Sequence, residues 1–315
     1  MEAFLEVRNL KKYFKNPMGT LHAVDDVSFS IDEGKTLGVV GESGCGKTTL
    51  GRTLIHLIRK TGGSMFFDGK EVSDPTKAEL KVLREKMQII FQDPYSSIDP
   101  RMSVSDTIME PLIIQGKMSK NDRRTEARRL MDTVGLASRL ENSYPHELDG
   151  GRRQRIGVAR ALALKPKFIV CDEPVSALDV SIQAQIINLM LDLQEELDLS
   201  YMFVTHDLSV VKYISNDIMV MYLGNMVEKS PADELFKNPL HPYTQALLSA
   251  IPVPDIHKQV DRIIMQGEIT SPINPKPGCR FKARCQYASD KCDEPQILEE
   301  HSPDHFVACC NYKDI

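Results

Sequence analysis

The stretch KTLGVVGESGCGKTTLGRTLIHLIRK, Lys35–Lys60, sets a short apolar run against a glycine-rich loop and then a helical pattern. Within it, GESGCGKT (Gly41–Thr48) fits G-x-x-x-x-G-K-[ST]. Glycine is needed in such a loop where a Cβ would block positive φ or close approach to an anion. The loop N–H groups and the dipole of the following helix then surround a phosphate group. Lys47 is placed to reach the β- and γ-phosphates, and Thr48 to ligate Mg²⁺. Strand, loop and helix in this order predict a phosphate-binding α/β core.

Further along, FIVCDEP (Phe168–Pro174) is a buried-strand pattern that delivers Asp172 and Glu173 at its carboxyl end, the edge where parallel sheets bind ligands. Asp172 suits the magnesium, and Glu173 suits orienting or deprotonating an attacking water. Alone, the two acids read more simply as a solvated turn; a phosphate loop in the same chain reverses that. A second apolar run, SYMFVTHD (Ser200–Asp207), brings His206 to the same edge, within plausible reach of a γ-phosphate. Between the two runs, SIQAQIINLMLDLQEEL has helical spacing, and strand–helix–strand of this kind implies a parallel sheet.

The remaining chain is organised around that core. FLEVRNL, HAVDDVSFSI and SMFFDGKEV alternate as strands of an antiparallel sheet. Residues 96–155 lack strand signals and carry charged helical stretches such as KNDRRTEARRLMDTVGL, which predicts a helical subdomain. Prolines and glycine thicken in IPVPD and SPINPKPG, marking a linker into a cysteine-rich tail. The expected division is therefore residues 1–254 and 255–315. With 315 residues, a net charge of −5 and ordinary apolar content, the chain has enough for a sizeable core, and its charge argues against bulk nucleic-acid affinity. No apolar run approaches the ~18 residues of a membrane span, and the N-terminal segment lacks the apolar stretch of a secretory signal. A cytosolic protein is expected.

Five motifs in order, the phosphate loop, FQDPYSSIDPR, ELDGGRRQR, FIVCDEPVSALD and VTHD, resemble the ATPase subunit of an ABC transporter over residues 4–250. The tail adds NPLHPYTQALLSAIP and the GCRFKARC…C…ACC pattern, similar to the oligopeptide/dipeptide importer branch. The resemblance implies a RecA-like P-loop NTPase core with an antiparallel β subdomain, a helical subdomain and a small cysteine-rich C-terminal extension. It implies ATP held by Gly41, Glu42, Ser43, Gly44, Cys45, Gly46, Lys47, Thr48 and Thr49, with Tyr13 stacked on adenine. It implies catalysis by Glu173, His206, Gln92 and Lys47, and magnesium on Thr48, Gln92 and Asp172. A second ATPase subunit would receive Asp149, Gly150, Gly151 and Asp179 across a head-to-tail dimer. Two permease subunits and an extracellular substrate-binding protein would complete an importer at the cytoplasmic face of the membrane. Nickel or oligosaccharide uptake fits the same motifs, as does a soluble ABC-type ATPase acting on nucleic acid or a non-hydrolysing ATP sensor; Glu173 argues against the last.

One motif departs from the family. The usual L-S-G-G-Q reads L-D-G-G-R here, with Asp149 in place of serine and Arg152 in place of glutamine. A carboxylate ~5 Å from a phosphate charge costs about 3 kcal/mol at an effective dielectric near 20. Against this, Arg152 returns a positive charge, and aspartate is a good helix N-cap. The departure implies either a weakened site on the partner or a tolerated variant.

Cys45 and Cys171 read as small buried residues. Cys279, Cys285, Cys292 and Cys309 are separated by five, six and sixteen residues, without the C-x₂₋₄-C pairs of structural zinc. The family likeness implies a 4Fe–4S cluster on these four, with Cys310 a bystander; zinc and free thiols remain alternatives.

Overall fold

The computed structural model describes residues 3–251, 262–265, 267–268 and 270–314. IPVPD lies outside them except for Ile251. Two compact units are present, one formed by residues 1–73 and 203–315, the other by residues 74–202.

The first unit begins with β1 (Leu5–Asn16) and β2 (Gly19–Ile31), paired antiparallel. β3 (Thr36–Val40) follows, buried along its whole length, and leads into α1 (Lys47–Leu54). The pattern predicts a helix to Lys60, but α1 ends at Leu54. The apolar run Ile55–Ile58 continues the periodicity, yet His56 adopts φ 57, and the carbonyl of Arg52 accepts the N–H groups of Leu57 and Ile58. β4 (Gly62–Phe67) pairs antiparallel with β1. SMFFDGKEV is not one strand: Asp68 and Gly69, both at positive φ, turn the chain back into β5 (Lys70–Glu71). Aspartate–glycine at both central positions suits a tight hairpin turn.

The second unit opens with α2 (Lys77–Lys86), where Thr76 and Glu79 cap reciprocally. β6 (Met87–Ile90) and the short α3 (Pro94–Ser97) follow. α4 (Val104–Gln115) and α5 (Lys120–Thr133) start at Ser103 and Ser119, whose side chains accept the N–H of Asp106 and Asp122. α6 (Gly150–Leu162) starts at Asp149, and its buried face includes Ile156, Val158 and Ala159. β7 (Phe168–Asp172) pairs in parallel with β6, and α7 (Val180–Leu197) returns the chain. The helical segment expected over 96–155 is thus α3 to α6, within this unit.

β8 (Ser200–Val204) carries the chain out of the second unit. At its start Ser200 donates to the carbonyl of Lys167; just past its end Thr205 donates to that of Val39. The first unit then resumes with α8 (Leu208–Ile214), β9 (Asp217–Tyr222), β10 (Asn225–Pro231), α9 (Ala232–Lys237) and α10 (Pro242–Ser249). β11 (Glu299–Ser302) and β12 (His305–Val307) close it. β9 lies parallel to β3, while β10, β12 and β11 add to it antiparallel in that order. The cysteine-rich tail therefore contributes strands to the core sheet, through Glu228 opposite Val307 and Lys229 opposite Phe306. Among the described residues no helix is long and apolar enough to cross a membrane.

Candidate nucleotide site

The phosphate loop leaves β3 at Val40 and enters α1 at Lys47. Gly41, Gly44 and Gly46 take φ 150, 78 and 108. At Gly46 a Cβ would stand 2.0 Å from the carbonyl oxygen of Ala23, so no other residue fits. Gly46 is also the N-cap of α1 and supplies no side-chain acceptor, which leaves the first N–H groups of the helix without a side-chain cap. Ser43 and Gly44 are exposed, whereas Cys45 is buried, its thiol pushed up by burial. The Lys47 ammonium is buried and donates to the carbonyls of Gly41 (2.7 Å) and Glu42 (3.1 Å). A carbonyl-bound ammonium beside uncapped N–H groups is the chemistry of an anion cradle.

Glu42 is held from two further sides. Its N–H donates to the Tyr243 phenol oxygen at 2.8 Å. Its carboxylate accepts both terminal nitrogens of Arg284, at 2.7 and 3.0 Å. Tyr243, Tyr222 and Phe281 form an aromatic cluster beneath, with ring centroids 4.7–5.3 Å apart.

Tyr13 lies on β1. Its ring stacks on His22, centroids 4.0 Å apart at 21°, and its hydroxyl donates to Asp25. His22 Nδ1 lies 2.9 Å from the other Asp25 oxygen, and Arg280 also donates there. Burial acts to raise the Asp25 carboxyl, but the hydrogen bonds from Tyr13, His22 and Arg280 outweigh it and hold the group below its ordinary value. His206 is exposed just beyond β8.

In the second unit, Asp172 is buried at the end of β7. Glu173 follows at φ 49, a conformation that costs a non-glycine residue energy and recurs at functional sites. Gln92 Nε2 donates to Glu173 Oε2 at 2.8 Å, so the structure brings together two residues expected to act on one water. Asp149 accepts the N–H of Arg152 at 2.8 Å, and its second oxygen is 3.4 Å from Arg152 Nε. The acid is thus the α6 cap and is paired with the arginine in the same loop. A Cβ on Gly151 would meet Ile182 Cγ2 at 2.6 Å, so packing against α7 already demands glycine there. Asp179 caps α7, accepting from Ser181 Oγ and Ile182 N.

Cys279, Cys285, Cys292, Cys309 and Cys310 neighbour one another in the tail. Among the described residues no group of three or more His, Cys, Asp or Glu side chains stands close enough to hold a metal ion. Burial, reinforced by neighbouring thiols, pushes Cys279 up to about 11 and Cys309 up to about 12, favouring protonated thiols. Cys310, read from sequence as a bystander, stands 3.7 Å from Cys292 sulfur to sulfur.

Sequence reading missed Asp25, His22, Tyr243, Arg280 and Arg284. Tyr243, Arg280 and Arg284 lie in the tail motifs quoted above but act on residues remote in the chain, and His22 and Asp25 lie in an ordinary strand.

Residues 24–176 match the ABC transporter family and residues 227–292 the oligopeptide/dipeptide transporter C-terminal region. The oligopeptide transport ATP-binding protein AppF of Bacillus subtilis is 50% identical over 99% of this chain and 98% of its own length. The chain belongs to the oligopeptide transport ATP-binding protein family. A second member of this ABC transporter family, OppF of Escherichia coli, is 48% identical over 98% of this chain and 93% of its own length. Among solved structures, the dimeric ATP-binding cassette MJ0796 in a post-hydrolysis state bound to ADP and Pi superposes with a TM-score of 0.66, at 29% identity, covering 72% of this chain and 98% of that one. The cbiO1 cassette of Clostridium perfringens, part of the cbiONQ ABC transporter complex, gives 0.67 at 26% identity, covering 75% and 92%. The ABC ATPase fold follows from these likenesses and from the strand–loop–helix geometry above.

Proposed function

We propose that this chain is the ATP-hydrolysing subunit of a peptide importer. The observation that carries the reading is the loop Gly41–Gly46, whose left-handed glycines lead into an uncapped helix start beside buried Lys47. The family's nucleotide is Mg·ATP, and the residues present suit it. The loop N–H groups and Lys47 bind the phosphates and Tyr13 offers a face to the adenine; the family likeness alone assigns the magnesium to Thr48, Asp172 and Gln92. When bound, magnesium offsets charge on the β- and γ-phosphate oxygens. Glu173, held by Gln92, orients the attacking water and takes its proton. His206 donates to the γ-phosphate.

The near-complete likeness to oligopeptide transport proteins favours peptide over nickel or oligosaccharide cargo, and the net charge of −5 favours transport over nucleic-acid work. A second ATPase subunit receives Asp149, Gly150, Gly151 and Asp179; two permease subunits and a substrate-binding protein carry the cargo, and the chain works peripherally at the cytoplasmic face. The iron–sulfur reading of Cys279, Cys285, Cys292 and Cys309 rests on the likeness of the tail. Stoichiometric iron and sulfide in anaerobically purified protein support it; their absence leaves zinc or free thiols.

The test is peptide-stimulated turnover of Mg·ATP by the chain assembled with its membrane subunits. Glu173→Gln is expected to lower turnover about 10²–10⁴-fold while leaving nucleotide binding intact. A well-folded chain that ignores Mg·ATP in calorimetry refutes the reading.

A further inference from the structure

The tail reaches the nucleotide site through two arginines on one short turn. Cys279 and Arg280 lie at its start, Arg284 and Cys285 at its end, with a 3-10 turn over Lys282–Arg284 between them. Both side chains are largely covered, Arg280 with 11% and Arg284 with 9% exposed. Neither partner belongs to the tail. Arg284 grips Glu42 inside the phosphate loop with two parallel bonds, 2.7 and 3.0 Å, and lies over the Tyr222 ring. Arg280 grips Asp25, the acid that also receives the Tyr13 hydroxyl and faces His22, and donates to the carbonyl of Leu223.

We propose that Arg280 and Arg284 are positioning residues of the nucleotide pocket: Arg284 sets the phosphate loop through Glu42, and Arg280 sets the adenine platform through Asp25 and Tyr13. This rests on the ATP reading above. Glu42 is fixed at its N–H by Tyr243, at its carbonyl by Lys47 and at its carboxylate by Arg284. The exposed Ser43 and Gly44 follow directly, so the clamp on Glu42 orders the stretch whose N–H groups meet phosphate. Ordering a loop before the ligand arrives removes an entropic cost that binding would otherwise bear. A paired fork is suited to this, because its planar donors fix orientation as well as distance. The two arginines serve different parts of the ligand, which separates positioning from general support of the fold.

The test is calorimetric binding of Mg·ATP and of magnesium tripolyphosphate, which has no adenine, to the full chain. Arg284→Gln is expected to weaken both ligands by the same factor, about tenfold, the effect of one charge-assisted hydrogen bond. Arg284→Lys keeps the charge without the fork and is expected to recover part of the loss. Glu42→Gln combined with Arg284→Gln is expected to be no weaker than Arg284→Gln alone. Arg280→Gln is expected to weaken Mg·ATP about tenfold and leave tripolyphosphate within about twofold of the parent. Should Arg280→Gln fail to fold, Asp25→Asn removes the same charge pair from the other side and carries the same expectation. Parent-like affinities in Arg284→Gln overturn the proposal, as does proportional loss of both ligands in Arg280→Gln or Asp25→Asn. A parent chain that binds neither ligand overturns the ATP reading itself.

Discussion

Replacing Asp149 by asparagine removes a charge from the start of α6 and almost nothing else. The carboxylate accepts the Arg152 N–H at 2.8 Å, and an amide oxygen does the same; asparagine and aspartate are equally good N-caps. Fold stability is therefore expected to change by only a few tenths of a kcal/mol. The electrostatic change is larger. If this helix start meets a partner's γ-phosphate about 5 Å away, the repulsion is about 3 kcal/mol at an effective dielectric near 20. Asp149 is 60% exposed and lies 3.4 Å from Arg152 Nε, so solvent and the paired charge screen much of it. What survives is on the order of 1–1.5 kcal/mol, or about tenfold in ATP-driven closure at that site. The assay is ATPase and transport by the assembled importer across ATP concentrations. Asp149→Asn is expected to lower the ATP concentration needed for half-maximal turnover, and Asp149→Ser to lower it further by restoring a hydroxyl donor. Unchanged rates and unchanged ATP dependence in both variants refute the argument and leave Asp149 a plain helix cap.

Burial of His241 lowers its pKa to about 4, and its Nδ1 accepts the Tyr243 N–H, so the folded chain keeps it neutral. The group contributes stability above its unfolded pKa near 6.5, and that contribution, about 3 kcal/mol, is lost as pH falls toward 4; urea midpoints from pH 7.5 to 5 are expected to fall less steeply in His241→Asn. Glu141 accepts from Arg128 and Arg124, which hold its carboxyl below the ordinary range. Its contribution is present above about pH 4.5 and lost below, so Glu141→Gln is expected to cost on the order of 1 kcal/mol at neutral pH and nothing in acid, read by thermal unfolding at both pH values. Gly151→Ala drives a methyl to 2.6 Å from Ile182 Cγ2 and is expected to destabilise the chain by about 1–3 kcal/mol; an Ile182→Leu partner substitution, which removes the Cγ2 branch, is expected to recover part of it in denaturant titrations.

The site was legible where chemistry is encoded by neighbours in the chain. Gly41–Thr48 declares its loop because consecutive residues build it, and Gln92 with Glu173 was readable from two local motifs. The helix end was not. Ile55, Leu57 and Ile58 continue an apolar rhythm, and only the left-handed turn at His56 breaks it. The attachment of the tail was not legible either: expected as a small extension after a linker, it contributes β11 and β12 to the core sheet, and Arg280 and Arg284 bond Asp25 and Glu42. Such pairings leave no trace in a window of residues, because the partner that gives an arginine its meaning lies elsewhere.

Glu42 meets Arg284 across 242 residues, and Asp25 meets Arg280 across 255. At about 5–20 residues per second on the ribosome, roughly 10–50 seconds separate synthesis of Asp25 and Glu42 from synthesis of the arginine that each meets. During that interval the growing polypeptide has its phosphate loop but neither clamp, and a product truncated ahead of Arg280 never acquires them. Both clamps on this pocket therefore wait for synthesis of the tail.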